Sequence, residues 1–157
     1  MTGFMDLTDA DLALILACVV MALALIRLSL AASRADPAEA ARLVAELRLA
    51  QFAALMLVLT AGVYVGFALA HGSSPGSGLD VALAVGFLVL ASVAITQEPG
   101  HALTILALGF AGHAVVDLLH GAGTLPSSAL PNWYATACAI YDVGIAGVCY
   151  LPIVRRP

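Results

Sequence analysis

Two aspartates stand in stretches that are otherwise almost wholly apolar. Asp117 belongs to Gly112-His-Ala-Val-Val-Asp-Leu-Leu-His120, and Asp142 to Cys138-Ala-Ile-Tyr-Asp142. An aspartate at the centre of a membrane helix costs about 2.5–3.5 kcal/mol on insertion scales, so each of these needs a compensating role. His113, Asp117 and His120 follow one another at i, i+4 and i+7. At about 100° per residue they share one helix face. Cys138 and Asp142 share a face in the same way, with Tyr134 and Cys149 near the same stripe.

Imidazole and carboxylate together are ligands for zinc, iron or manganese. The expected metal ligands are therefore His113, Asp117, His120 and Asp142. Asp117 or Asp142, if left unligated, suits a general base toward a metal-bound water, which makes these two the candidate catalytic residues. The implied activity is a metal-dependent hydrolase, with oxidation as the other reaction type, working on a lipid or other apolar substrate. Two other arrangements use the same residues. His–Asp hydrogen bonds can hold helices together or form a proton or ion path. Alternatively, His113 or His120 can ligate haem, as paired histidines on membrane helices do, in a small non-catalytic accessory subunit of a larger membrane complex.

The elements that must position these residues follow from composition. The chain has 157 residues, 62% hydrophobic and 10% charged, with a mean hydropathy of +1.05. A soluble domain carries about a quarter charged residues, so lipid is the expected solvent. Five apolar runs, about 12–30, 49–70, 79–96, 101–121 and 132–154, predict an all-α integral membrane bundle forming one domain. Thr8-Asp9-Ala10-Asp11 resembles a capping box before the first run, and Asp36-Pro37-Ala38-Glu39 signals the start of a second helix. That helix is longer than a bilayer requires, so its first turns, with Glu39, Arg42, Glu46 and Arg48, are expected in water or at the interface. The segments 72–78 and 121–131 read as loops, and Gln97-Glu98-Pro99-Gly100 as a tight turn. The 121–131 loop is short, so the fourth and fifth helices are expected side by side and antiparallel. Their polar residues would then meet in the half of the bilayer next to that loop.

All six basic residues are Arg, at 27, 34, 42, 48, 155 and 156. With five spans they fall on one side, which the positive-inside rule makes the cytoplasm. The N-terminus is then outside, and the expected location is a bacterial cytoplasmic (inner) membrane. Scattered Arg residues form no nucleic-acid surface. The first eleven residues carry Asp6, Asp9 and Asp11 and no positive segment, so the first run is expected to remain as an anchor. Cys18, Cys138 and Cys149 lie in apolar runs and predict no disulfide framework.

The remaining candidates have simpler readings. His71 and His101 fall at helix ends, Trp133 and Tyr134 suit an interfacial aromatic belt, and Ser127 and Ser128 suit a loop. Gly62-x-x-x-Gly66 permits close helix approach, within the bundle or in a homo-oligomer.

The segment of about residues 105–150 resembles a family of small bacterial integral membrane proteins of unknown function. Its pattern pairs a His-x-x-x-Asp-x-x-His helix with a Pro-containing loop and a Cys-x-x-x-Asp helix. His113, Asp117, His120, Pro126 or Pro131, Cys138 and Asp142 match it. Val116 and Gly121 stand where members often carry Trp and a further His, so a ligand role for that His is absent. The resemblance implies that the cluster acts as a unit and implies no particular reaction.

Overall fold

A computed structural model describes residues 9–36, 38–70, 76–126 and 132–155. Thr8, Pro37, His71, Ser127, Ser128, Pro131 and Arg156 lie outside the described residues. Five helices follow one another: α1 (Asp9–Arg34), α2 (Ala40–Ala70), α3 (Ser77–Ala94), α4 (Pro99–Gly121) and α5 (Asn132–Val154). All five are long and apolar enough to cross a membrane. Among the described residues there is no strand.

The helices form a closed ring in chain order, with α1 packed on both α2 and α5, and α2 also crossing to α4. Packing is most extensive between α4 and α5, the pair joined by the short second loop. Leu25, Leu49, Leu57, Leu103, Leu106 and Phe110 fill the centre. Gly109 lets α4 approach α2 and α3 closely: a Cβ there would stand 2.8 Å from Leu90 Cδ2 and 2.9 Å from Leu57 Cδ2. Gly62 and Gly66 behave differently, since a Cβ on either meets nothing within 4 Å. Their Gly-x-x-x-Gly spacing makes no close helix contact inside the bundle.

Helix ends follow the local chemistry. Asp36 Oδ1 accepts the Ala38 amide at 2.9 Å, the capping role its position implied. Pro99 occupies the first turn of α4, where its missing N–H costs nothing. Gly123, at φ 68°, closes α4, and the Thr124 amide donates to Leu119 O at 3.0 Å.

Of the four charges at the N-terminal end of α2, Glu39 and Arg48 are exposed, as a place in water or at the interface implied, and the other two turn into the bundle. Arg42 and Glu46 are buried, while Leu43, Val44 and Leu47 point outward. Arg42 Nε donates to Glu46 Oε1 at 3.0 Å, and its Nη2 donates to Pro152 O at 3.1 Å. Mutual pairing at i, i+4 lets both charges turn inward, and the apolar residues then take the outer face, as a lipid surrounding favours.

Pro152 lies inside α5. A proline there cannot donate to the carbonyl four residues back, which is Val148. Ser29 Oγ of α1 donates to Val148 O at 2.7 Å instead. A neighbouring helix thereby re-satisfies the freed carbonyl, as membrane interiors require. Tyr141 Oη donates to Cys18 O at 3.0 Å and makes a second tie between α5 and α1.

Candidate metal centre

The α2–α3 and α4–α5 connections lie at the same end of the ring as the N-terminus of α1, because successive spans alternate in direction. Asp80, His113, Asp117, His120 and Asp142 gather in that half, while the buried Ser29, Arg42 and Glu46 lie toward the other end. His113 sits eight residues before the end of α4 and Asp142 ten residues into α5. At 1.5 Å per residue both are about 12–15 Å from the loop end, near mid-depth in a hydrocarbon layer of about 30 Å.

His113, Asp117, Cys138 and Asp142 are all buried, and each offers a ligand atom such that these atoms lie within 4.8 Å of one another. His113 Nδ1 is 2.6 Å from Asp142 Oδ2 and 3.3 Å from Asp117 Oδ2. The Cys138 thiol lies 3.9 Å from Asp142 Oδ2 and 3.9 Å from the Tyr134 hydroxyl. Tyr64 of α2 donates its hydroxyl to Asp117 Oδ1. Two carboxylate oxygens, Asp117 Oδ2 and Asp142 Oδ1, are buried without a hydrogen-bond partner. Such atoms are rare in native interiors, and each calls for an explanation such as an ion.

His120 stands apart from this group. Its Nε2 is 3.0 Å from Asp80 Oδ1 on α3, and its Nδ1 is 3.0 Å from Val116 O. Both ring nitrogens are thus engaged by oxygen atoms outside the four-residue cluster. The Tyr64 ring lies between the two histidines, with centroids 5.4 Å from His113 and 5.3 Å from His120.

The structure therefore brings together three of the four expected ligands, His113, Asp117 and Asp142. It adds Cys138, for which the sequence slightly favours plain packing over a ligand role, and sets His120 beside Asp80. Two participants had no part in the sequence reading. Asp80 is almost wholly buried at 1% exposure, yet it occupies the first turn of α3, where an acid is ordinarily explained by the helix dipole. Tyr64 is one more aromatic in an apolar run. The signal that could have found it is its distance from either end of the hydrocarbon layer, where a tyrosine hydroxyl needs a partner. Tyr134 also departs from the belt reading. It is buried against Phe67, with ring centroids 5.4 Å apart, and against Tyr64 at 6.3 Å. His101 is exposed at the opposite end, 3.4 Å from Glu98 Oε1.

Zinc–nitrogen, zinc–oxygen and zinc–sulfur bonds of about 2.0–2.3 Å keep any two ligand atoms within about 4.6 Å of each other. In a tetrahedral site such bonds set ligand atoms about 3.3–3.8 Å apart, so the widest separation here, 4.8 Å, closes by about an ångström when an ion is held. The donor set of one imidazole, two carboxylates and one thiol suits zinc or iron. Charge points the same way. Asp80, Asp117 and Asp142 are buried in this half with two histidines and no Lys or Arg, since the buried Arg42 is committed to Glu46 and Pro152 at the other end. Buried carboxylates need compensating positive charge.

The chain matches no protein-family model, no curated protein and no solved structure.

Proposed function

We propose that this multi-pass helical protein holds a divalent metal ion, zinc or iron, inside its helix bundle and is a metal-dependent enzyme acting on an apolar substrate. The observation that carries the proposal is the four buried ligand atoms within 4.8 Å, together with Asp142 Oδ1, which has no hydrogen-bond partner, and Asp117 Oδ2, which lies 3.3 Å from His113 Nδ1. His113, Asp117, Cys138 and Asp142 are the ligands. A bound ion of this kind supplies Lewis acidity and lowers the pKa of a coordinated water. Tyr64 fixes Asp117 through its hydroxyl, and His120 and Asp80 brace the cluster from the loop side. Whichever of Asp117 and Asp142 leaves an oxygen free of the ion is placed to take a proton from the substrate or water. Hydrolysis is the preferred reaction and oxidation the alternative. With the Arg residues on the cytoplasmic side, the centre lies in the outer half of a bacterial inner membrane.

The test is metal analysis of the detergent-purified protein beside His113→Ala and Asp142→Asn. About one equivalent of zinc or iron in the wild type, lost in both variants, is the expected result. Wild-type protein without stoichiometric metal, purified free of chelators, overturns the reading. A Soret band would replace it with haem.

A second reading has its own observation. The direct 2.6 Å contact between His113 and Asp142 also suits a polar network that joins α4 to α5 with no ion. In that case both variants lose thermal stability while the wild type contains no metal.

A further inference from the structure

A cleft of about 490 Å³ opens between α1, α2 and α5 on the outer surface of the ring. Its walls include Leu14 and Cys18 of α1, Leu59 and Val63 of α2, and Trp133 and Cys138 of α5. We propose that this groove binds one hydrocarbon chain of a membrane lipid and leads it to Cys138 at the edge of the metal centre. The assignment rests on the metal-centre reading for its purpose, and names the substrate class.

Four observations select a lipid chain as the occupant. The first is the chemistry of the walls. Two of the polar groups along them are already engaged: the Tyr141 hydroxyl donates to Cys18 O at 3.0 Å, and Thr60 Oγ1 donates to Met56 O at 2.9 Å. An occupant is therefore offered apolar surface and no free hydrogen-bonding group on these residues.

The second is size. Trp133 to Tyr141 is nine residues of helix, so the groove runs about 12 Å along the helix axes. A single unbranched chain is much thinner than a helix. The volume also falls within the range of about 300–1,000 Å³ usual for small-molecule pockets.

The third is continuity with the lipid surface. The helices bordering the groove present Leu16, Val20, Leu23 and Ile140 outward, so a chain enters sideways from the bilayer without crossing a polar barrier. The fourth is what the groove reaches. Cys138 belongs both to its wall and to the cluster, with its thiol 3.9 Å from Asp142 Oδ2, and the Tyr134 hydroxyl of the wall lies 3.9 Å from that thiol. Trp133 begins α5 at the loop end, so a lipid whose headgroup lies at that interface places the upper part of its chain beside Cys138.

The test uses full-length protein in phosphatidylcholine bilayers containing a trace of phosphatidylcholine with a diazirine on one acyl chain. Cross-linked residues are mapped by peptide mass spectrometry. Val85 and Val89, exposed on α3, report ordinary contact with surrounding lipid. Enrichment at 14–21 and 133–141 over α3 is expected. Ala17→Phe and Ala137→Phe fill the groove from opposite walls without altering a cluster residue. Each is expected to cut the enriched cross-links about tenfold while leaving those on α3 and the metal content unchanged. Two separate variants guard against one that fails to fold.

Equal labelling of the groove and of α3, insensitive to both variants, overturns the proposal by reducing the groove to ordinary lipid surface. Labelling of the groove weaker than that of α3 overturns it too, because something other than lipid, such as a second copy, then covers it. Metal content is measured on the same samples. Localised labelling on metal-free wild-type protein therefore sinks the metal reading while the lipid groove stands.

Discussion

His120 and Asp80 form a pair whose loss should be felt in stability before it is felt in chemistry. Each is buried and each is the other's partner across α3 and α4. Removing one side of a buried hydrogen bond leaves the other unsatisfied, at a cost of about 1–3 kcal/mol. His120→Ala is therefore expected to lower the thermal midpoint while metal content stays near the wild-type level. Asp80→Asn keeps an acceptor oxygen and should be milder. The same metal analysis on His120→Ala separates a bracing role from a ligand role, because loss of the ion would return His120 to the coordination sphere. Tyr64→Phe removes the donor to Asp117 and leaves a third buried carboxylate oxygen without a partner. It is expected to weaken metal binding, read as a lower chelator concentration needed to strip the ion, by about 10–100-fold as for other partners of metal ligands. His113, Asp117 and Asp142 were legible in the sequence because intramembrane aspartate is costly and helical spacing fixes which side chains share a face. Asp80 and Tyr64 were not. An acid in a first turn and a tyrosine in an apolar run both have ordinary explanations, and only the packing of α2 and α3 against α4 shows otherwise.

Among the elements, α5 carries the most informative irregularity. Pro152 takes away the helical donor to Val148 O, and Ser29 of α1 supplies one. Interhelical hydrogen bonds in membranes average about 0.6 kcal/mol, with a maximum near 1.7. Ser29→Ala should reach the upper part of that range, because the carbonyl it abandons has no helical partner. In a Pro152→Ala background the helix regains its own N–H, and Ser29→Ala should become nearly neutral. Reversible unfolding of the four proteins of this double-mutant cycle measures the coupling. Element boundaries were readable where turn chemistry marks them. Pro99 opens α4 and Asp36 caps the turn that leads into α2, as their residue types imply, and α5 spans 132–154 as its apolar run did. The first turns of α2 were not readable. Hydropathy counts Arg42 and Glu46 as polar wherever they point, and only pairing within the fold turns them inward.

On the scale of the whole molecule, the two ends of the ring differ in chemistry. One end gathers His113, His120, Asp80, Asp117 and Asp142, together with the groove. Toward the other lie Arg27, Arg34, Arg42, Arg48 and Arg155. If the Arg end is cytoplasmic, single cysteines placed in a cysteine-free variant at Ser77 and at Gln97 should label oppositely. A membrane-impermeant thiol reagent added to intact cells should reach the Ser77 position, and the Gln97 position only after the cells are permeabilised. Labelling in the reverse order would invert the molecule and put the metal centre in the inner half of the bilayer.

The ring also has an order in time. Ser29, Arg42 and Cys18 O belong to the first two helices, and their partners Val148 O, Pro152 O and Tyr141 lie 119, 110 and 123 residues further along the chain. During synthesis α1 and α2 enter the bilayer with these contacts unmade. Arg42 then has Glu46 in its own helix but no partner for its remaining donor, and the side of α1 that α5 will cover faces lipid. Arrival of α5 completes all three at once, and the same helix brings Cys138 and Asp142 to α4. Closure of the ring and completion of the four-residue cluster are therefore reached in a single step, so a nascent chain halted before α5 has neither.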